Sequence, residues 1–234
     1  MNERAKEQNQ IGTLYIVATP IGNLSDITLR ALEVLKNVDI IACEDTRVSR
    51  KLLDHFEIKK PLVSLHQHSD EKVINEIISR LKAGDNVAYI TDGGTPGISD
   101  PGQKLVAEIK KESIEIIPIP GPSAITGAVS VSGMVEKEFY FAGFLPKKKG
   151  RQTKMIELSK IDVPIVIYES ALRLEQTLTD IEQYFGKDSE VFIAREMTKM
   201  FEEYWGGKVA NIIAELKNHK LKGEVTLVAK HKSI

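Results

Sequence analysis

Short apolar runs that alternate with helix-like segments constrain the fold of this chain more than any other feature. Runs of strand length occupy residues 15–18, 40–43, 62–65, 87–91 and 114–119. Apolar residues at helical spacing fill the stretches between them, as in residues 26–37 and 70–83. Ser25 or Asp26 can cap the first of these helices, and Leu29 belongs to its expected buried stripe. Because strands that alternate with helices form βαβ units, the pattern predicts an α/β fold with a mostly parallel N-terminal sheet.

Three of these runs lead directly into loops that are rich in glycine and proline. The loops read T-P-I-G-N from residue 19, T-D-G-G-T-P-G-I-S-D-P-G from residue 91 and P-G-P-S-A from residue 120. Glycine lets a backbone approach a ligand closely, and proline stiffens the turn. Loops at the carboxyl ends of parallel strands meet at one edge of a sheet, so we expect one shared ligand site. The alternative is that the longest loop is only a tight connection to a helix.

The common nucleotide-binding fingerprints are absent. The sequence contains neither G-x-x-x-x-G-K-[ST] nor G-x-G-x-x-G, which argues against a P-loop site and against a dinucleotide-binding Rossmann site. Prolines in residues 91–102 also reduce the number of N–H donors that a phosphate-binding loop needs. The loops therefore favour a cofactor that is read through backbone donors and acceptors together.

Composition narrows the class of protein. A net charge of -1 argues against a globally basic nucleic-acid-binding protein but is compatible with a local basic patch. The single cysteine, Cys43, excludes an intrachain disulfide and fits a reducing compartment. No apolar run approaches the length that spans a bilayer, and the first residues lack the apolar core of a signal peptide. We therefore expect a cytoplasmic protein with no membrane partner.

The second half of the chain shows a different pattern. Its apolar runs contain more alternation, which allows antiparallel pairs and predicts a mixed sheet. They lie at residues 139–145, 164–168, 191–194 and 225–230. We expect a disordered leader over residues 1–11, an N-terminal α/β domain over residues 12–120 and a C-terminal α/β domain over residues 121–234.

Seven motifs, taken in order, resemble those of a known family. They are T-P-I-G-N-L-S-D-I-T-L-R-A-L-E (19–33), E-D-T-R (44–47), G-T-P-x-I-S-D-P-G (94–102), P-G-P-S-A (120–124), F-x-G-F-L-P-K-K (141–148), Y-E-S (168–170) and R-E-M-T-K (195–199). With these motifs the chain resembles the bacterial 16S ribosomal RNA cytidine 2′-O-methyltransferases of the tetrapyrrole-methylase superfamily.

The resemblance implies a two-domain tetrapyrrole-methylase fold, with S-adenosylmethionine (SAM) in the cleft between the domains, and a homodimer. It also implies a substrate, the ribose 2′-hydroxyl of a decoding-centre cytidine in the small ribosomal subunit. Carried over residue by residue, the cofactor contacts fall on Pro20, Ile21, Asp92, Gly94, Thr95, Ile98, Ser123, Ala124, Tyr168, Met197, Gly223 and Glu224.

The chain departs from the family pattern at two places. Gly93 stands where Ala or Ser is usual, and we expect it to loosen the loop without removing a contact. The pair Ala171 and Leu172 replaces one that usually contains a histidine, so any role of that histidine in orienting RNA or cofactor is lost here.

Methyl transfer to a ribose hydroxyl needs a positioned nucleophile and benefits from a general base. Carboxylates within the family motifs are Glu44, Asp45, Glu169 and Glu196. We predict that Glu44, Asp45 and Arg47 form the catalytic cluster, because they follow a strand directly. The alternative is that Asp45 caps the following turn and Arg47 forms an ion pair.

A short basic segment is the candidate RNA-binding element. Its cationic side chains are Lys147, Lys148, Lys149, Arg151 and Lys154. Taken alone, such a run is typical of a solvated face. The resemblance makes phosphate contact the preferred interpretation.

Two further features carry weaker predictions. His66 and His68 share a strand face, but no Cys or H-x-x-E pattern accompanies them, so we predict no metal site. The single tryptophan, Trp205, could stack on a base or pack at the surface or a hinge.

Two other functions compete with rRNA methylation. Methylases that act on tetrapyrroles typically carry G-G-D-P in the loop that corresponds to residues 91–102, whereas this chain reads G-G-T-P. Thr95 and the lysine run therefore favour RNA as the substrate. A non-catalytic RNA-binding module of ribosome assembly is the second alternative, and the three intact loops argue against it.

Overall fold

A computed structural model describes residues 11–66, 71–217, 219 and 221–231. The chain divides into two compact units, of which the first ends at Ser123 and the second begins at Ala124. The boundary predicted from the sequence lay at residue 120. Within the described ranges, no helix combines the length and the apolar character needed to cross a bilayer.

The first unit contains a five-stranded sheet in the order β3-β2-β4-β1-β5. Its strands are β1 (Leu14–Val17), β2 (Ile40–Cys43), β3 (Leu62–Ser64), β4 (Val87–Ile90) and β5 (Ile116–Ile119). Every neighbouring pair is parallel, which confirms the predicted N-terminal sheet. Strands β2 and β4 are buried along their whole length, since helices cover both faces.

Four helices cover this sheet, two on each face. They are α1 (Leu29–Asn37), α2 (Thr46–His55), α3 (Glu71–Lys82) and α4 (Gly102–Lys111). Apolar residues of α3 and α4 pack with Leu14 and Tyr89 on one face. Those of α1 and α2 pack with Val17 and Ile90 on the other. The first unit is therefore a three-layer α/β domain with a core on each side of its sheet.

Helix α1 begins later than the sequence predicted. Ser25 or Asp26 was the expected cap, but the hydroxyl of Thr28 accepts a hydrogen bond from the N–H of Ala31 at 3.0 Å. The later start places Leu29 in the first turn, where it is 86% exposed instead of part of the predicted buried stripe.

The second unit contains a mixed five-stranded sheet in the order β6-β7-β10-β8-β9. Its strands are β6 (Tyr140–Phe144), β7 (Ile165–Ser170), β8 (Glu190–Arg195), β9 (Glu203–Lys208) and β10 (Glu224–Lys230). Only β6 and β7 are parallel, and the other neighbours are antiparallel. The predicted mixed sheet is confirmed, while β9 was not predicted because its sequence E-Y-W-G-G-K is polar and glycine-rich.

The helices of the second unit are α5 (Ala124–Ser132), α6 (Arg151–Leu158), α7 (Leu174–Phe185) and α8 (Val209–Leu216). Buried residues of α6, α7 and α8 form one core with apolar residues of β7, β8 and β10. Helix α5 contacts β10 and β8. Each unit thus has its own sheet and its own core.

Candidate functional site

The three glycine- and proline-rich loops meet at one edge of the first sheet. They follow β1, β4 and β5, which are neighbours in that sheet. Thr19 and Gly94 exchange two backbone hydrogen bonds, of 3.0 and 2.9 Å, which join the first loop to the second. The hydroxyl of Thr95 donates to the carbonyl of Pro122 at 3.0 Å, which joins the second loop to the third. The structure therefore brings the predicted loops into one connected surface.

Two consecutive glycines allow this close contact between loops. Gly94 has a φ of +86°, and a Cβ there would lie 3.3 Å from Cγ2 of Ile21. A Cβ on Gly93 would lie 3.1 Å from the carbonyl oxygen of Pro20. We expected Gly93 to loosen the loop, but its position lets the second loop lie tightly against the first.

Asp100 fixes the second loop, although the sequence did not single it out. One carboxylate oxygen accepts from the N–H groups of Gly97 at 2.7 Å and Ile98 at 3.1 Å. The other accepts from the N–H of Gly102 at 2.8 Å and the hydroxyl of Tyr89 at 3.2 Å. An aspartate before Pro-Gly at the start of a helix is the signal that could have found it, because such residues bond to backbone N–H groups two residues on.

The E-D-T-R segment lies at the carboxyl end of β2, beside the second loop. The carboxylate of Asp45 accepts from the backbone N–H of Arg47 at 2.8 Å and from its guanidinium at 2.6 Å, and so caps α2. The N–H of Asp45 donates to Asp92 at 3.1 Å. Hydrogen bonds from Arg47 lower the pKa of Asp45 to about 2. The structural alternative that the sequence left open, in which Asp45 caps the helix and pairs with Arg47, is therefore present.

Glu44 differs from its neighbour in its electrostatic environment. Partial burial raises the pKa of Glu44, and the negative charges of Asp92 and Asp100 raise it further. A carboxylate with a raised pKa is a stronger proton acceptor than an exposed one. Among the three predicted catalytic residues, Glu44 has the environment that suits a general base, while Asp45 and Arg47 shape the turn that follows it.

The other predicted cofactor positions of the first unit line the same loops. Asp92 is exposed, and Ile98 exposes 41% of its surface. The space beside Gly97 is open, since no atom lies within 4 Å of where its Cβ would be. Ser123 lies within the third loop. The second loop thus offers an exposed carboxylate at Asp92, an apolar side chain at Ile98 and open space beside Gly97.

The predicted positions of the second unit lie at the start of α5, within β7, after the end of β8 and at the start of β10. Ala124 begins α5, and the N–H of the next residue, Ile125, donates to the hydroxyl of Tyr168. Burial raises the pKa of Tyr168 to about 12, so this phenol stays protonated at neutral pH. The sulfur of Met197 lies 3.5 Å from the Cβ position of Gly127 on α5.

Gly223 and Glu224 contact the turn that follows β8. The carboxylate of Glu196 accepts from the N–H of Glu224 at 2.9 Å and from Lys199 at 2.8 Å. A Cβ on Gly223 would overlap the same carboxylate. Partial burial raises the pKa of Glu196, but the hydrogen bonds from Lys199 and Glu224 outweigh it and lower the net value. Glu196 is therefore a poorer proton acceptor than Glu44.

Arg151 does not behave as its position in the basic segment predicted. Its side chain is 7% exposed and donates to Asp180 at 2.6 Å and to Thr177 at 2.8 Å. Because it is buried and paired, Arg151 does not face solvent where a phosphate could reach it, and its assignment to RNA contact is corrected. Lys147, Lys148 and Lys149 are exposed, and Lys154 is half-buried with its ammonium 5.5 Å from the Tyr140 ring centre.

Glu169 is also engaged within the fold. Its carboxylate is fully buried, accepts from the hydroxyl of Thr177 at 2.8 Å and lies 3.1 Å from Arg173. The N–H of Ser170 donates to its other oxygen at 2.8 Å. These partners satisfy both oxygens, so Glu169 is a structural anchor and not an available base.

The remaining predictions concern metal binding and Trp205. Among the residues that the structure describes, no three His, Cys, Asp or Glu side chains lie close enough to hold a metal ion. His68 lies outside the described residues. Trp205 is partly buried and packs against the core of the second unit, which favours the packing role.

Comparisons with known proteins identify relatives over nearly the whole chain. Among curated relatives, the small-subunit ribosomal RNA methyltransferase I of Thermotoga maritima is 50% identical over 93% of this chain and 98% of its own length. The protein of the same name from Synechocystis is 46% identical over 93% of this chain and 78% of its own length. The protein of the same name from Escherichia coli O157:H7 is 41% identical over 100% of this chain and 83% of its own length.

Solved structures share the fold at low sequence identity. A cobalt precorrin-4 methyltransferase of cobalamin biosynthesis has a TM-score of 0.70 at 16% identity, covering 93% of this chain and 94% of the other. A uroporphyrin-III C-methyltransferase from Thermus thermophilus has a TM-score of 0.64 at 17% identity, covering 94% of each chain. The sequence profile of the tetrapyrrole (corrin/porphyrin) methylases matches residues 13–213. The chain therefore belongs to the tetrapyrrole (corrin/porphyrin) methylase family.

Proposed function

We propose that this protein transfers the methyl group of SAM to the ribose 2′-hydroxyl of a cytidine in 16S ribosomal RNA. The observation that carries the proposal is the likeness to small-subunit ribosomal RNA methyltransferases over nearly the whole chain, at 41 to 50% identity. The second loop supports the proposal, since it reads G-G-T-P where family members that methylate tetrapyrroles typically carry G-G-D-P.

The loop surface of the first unit has the chemistry that SAM requires. When bound, SAM supplies a methyl group on a positively charged sulfonium. The exposed carboxylate of Asp92 suits the polar, cationic part of such a ligand, and Ile98 suits an apolar surface. The open space beside Gly97 leaves the backbone accessible. These residues fit the cofactor, and we assign the carried-over positions of both units to its binding.

Glu44 is the residue that we assign to proton transfer. A ribose hydroxyl is a weak nucleophile, and a base within hydrogen-bond reach makes it stronger. Glu44 has a raised pKa and lies at the end of β2, beside the second loop. It accepts the proton that the hydroxyl loses, while Asp45 and Arg47 hold the first turn of α2 in place.

The exposed lysines of the second unit supply the contacts to RNA. Lys147, Lys148 and Lys149 form an uninterrupted cationic run, and phosphate contacts of this kind position a nucleic acid without reading its sequence. We further propose that the enzyme works as a homodimer and, given a ribosomal substrate, in the cytoplasm.

Radiolabelled methyl transfer tests the proposal. The full chain is incubated with labelled SAM and three acceptors in parallel: 30S subunits that lack the modification, naked 16S RNA and a tetrapyrrole precursor. We expect label in the RNA of the 30S subunits. Label in the tetrapyrrole would replace the substrate assignment, and SAM binding without any transfer would indicate a non-catalytic RNA-binding module.

A further inference from the structure

Phe144 is a large aromatic side chain that the core does not use. It ends β6, exposes 60% of its surface and is absent from the core of the second unit. Its ring centre lies 5.5 Å from that of Tyr168, and Phe141 contacts Tyr168 from another side at 5.0 Å. The three rings form an aromatic cluster in which Phe144 is the member that faces solvent.

The backbone directly after Phe144 is held by two arginines, of which one is buried and the other partly exposed. Arg173 donates to the carbonyl of Leu145 at 2.7 Å, and Arg151 donates to the next carbonyl at 3.2 Å. Both guanidinium groups lie beside the fully buried carboxylate of Glu169, at 3.1 and 4.0 Å. This network fixes the end of β6, so the Phe144 ring is presented from a rigid support.

The sequence that follows Phe144 is cationic. The three exposed lysines begin three residues after Phe144, and no acidic residue occurs between residues 139 and 156. An exposed aromatic ring beside a run of cations is the combination that binds single-stranded nucleic acid, because the ring stacks a base and the cations contact phosphates.

We propose that Phe144 stacks an unpaired base of the RNA, while Lys147, Lys148 and Lys149 contact the phosphates next to that base. The inference rests on the proposed function and adds to it the residue that receives a base. Phe144 packs on Tyr168, which we assign to the cofactor, so the residue that receives a base contacts a residue that binds SAM. The ring makes no hydrogen bond to a base edge, so it selects for an unpaired nucleotide and not for its identity.

The test compares the Phe144→Ala and Phe144→Trp variants of the full chain with the wild type. We measure KM for 30S subunits and KM for SAM, and the affinity for a fluorescein-labelled single-stranded oligocytidylate by fluorescence anisotropy. Loss of one stacked base predicts a roughly 5- to 100-fold rise in KM for 30S and in the oligonucleotide Kd. Tryptophan keeps a stacking face, so Phe144→Trp should stay within about threefold of the wild type.

The control is Ile156→Ala, which removes an apolar side chain with 41% exposure from α6 and should change none of the three constants. Equal oligonucleotide affinity of Phe144→Ala and the wild type overturns the inference. So does a change confined to KM for SAM, or conversion of a dimer to monomers seen by light scattering, which would identify Phe144 as a cofactor support or a subunit contact. If no acceptor is methylated but the oligonucleotide affinities still separate, the proposed function fails while the stacking inference holds.

Discussion

The two units build their candidate ligand surfaces by different means. In the first unit, a backbone bridge between Thr19 and Gly94 joins two loops, and Asp100 holds the second loop by accepting from its N–H groups. In the second unit, side chains hold the surface together, through the buried Glu169 carboxylate and its two arginines. The first surface therefore depends on the close backbone contacts that glycine allows, and the second depends on buried ion pairs.

This difference matches the ligands that we assign to each surface. A small cofactor must fit closely, and backbone groups in fixed loops give that fit without mobile side chains. A nucleic-acid chain is larger and highly charged, and exposed lysines on an anchored segment give it phosphate contacts. Substitutions in the two surfaces should therefore impair different kinetic constants.

The largest effect is expected at Glu44. Glu44→Gln keeps the size of the side chain but removes the proton acceptor, so kcat should fall by about 10² to 10³-fold with little change in SAM affinity. Because the base must be deprotonated and its pKa is raised by burial and by nearby carboxylates, wild-type kcat should fall as the pH drops through this raised pKa. The variant should lose that acidic limb, and an unchanged pH profile would assign the base elsewhere.

Gly94→Val should distort the loops of the first unit and so impair SAM binding without impairing RNA binding. The φ of +86° and the nearby Ile21 side chain leave no room for a branched Cβ, and the strain acts on the bridge to Thr19. We expect SAM affinity, measured by calorimetry, to fall roughly 100-fold. Affinity for 30S subunits should stay close to that of the wild type, and a parallel loss of both affinities would contradict the division between the surfaces.

Replacing Lys147, Lys148 and Lys149 by alanine should have the opposite selectivity. KM for 30S subunits should rise roughly tenfold while SAM affinity is retained, because the lysines are exposed and support no loop of the first unit. The salt dependence of binding should weaken by about one unit of slope for each lysine–phosphate pair that the substitution removes. Matched substitution of the exposed Lys110 and Lys111 at the end of α4 provides the control.

The smallest effect is expected from Arg47→Ala. The guanidinium of Arg47 lowers the pKa of Asp45 to about 2, so its removal should raise that pKa toward the ordinary aspartate value of 3.8. Titration followed by carboxyl NMR measures the shift. Since both side chains lie at the surface and Asp45 can still cap α2, methyl transfer should fall only about twofold. A decrease near that of Glu44→Gln would give Arg47 a direct role in the reaction.

The loops of the first surface and the lysine run of the second were visible in the sequence, but the buried anchors of the second surface were not. Glycine and proline after apolar runs predicted the three loops, because few other residues allow such turns. The buried role of Arg151 was hidden by its lysine neighbours, since a cation that reaches Asp180 across 29 positions of sequence gives no local signal. The same holds for Glu169, whose partners Arg173 and Thr177 become informative only after β7 and α7 are packed together.

Helix α1 and strand β9 show the same limit on a smaller scale. Three polar residues, Ser25, Asp26 and Thr28, could each cap a helix, and only the tertiary position of the chain selects Thr28. Strand β9 is an edge strand that pairs with β8 alone, so its sequence needs no buried apolar face, and periodicity does not reveal it.

The identity of the methylated nucleoside tests the proposed reaction most directly. Labelled 16S RNA from methylated 30S subunits is digested to nucleosides and separated by chromatography against standards. We predict that the label migrates with 2′-O-methylcytidine and that Glu44→Gln reduces it by about two orders of magnitude or more. Label on a base-methylated nucleoside, or on any ribose other than that of cytidine, would contradict the proposed reaction.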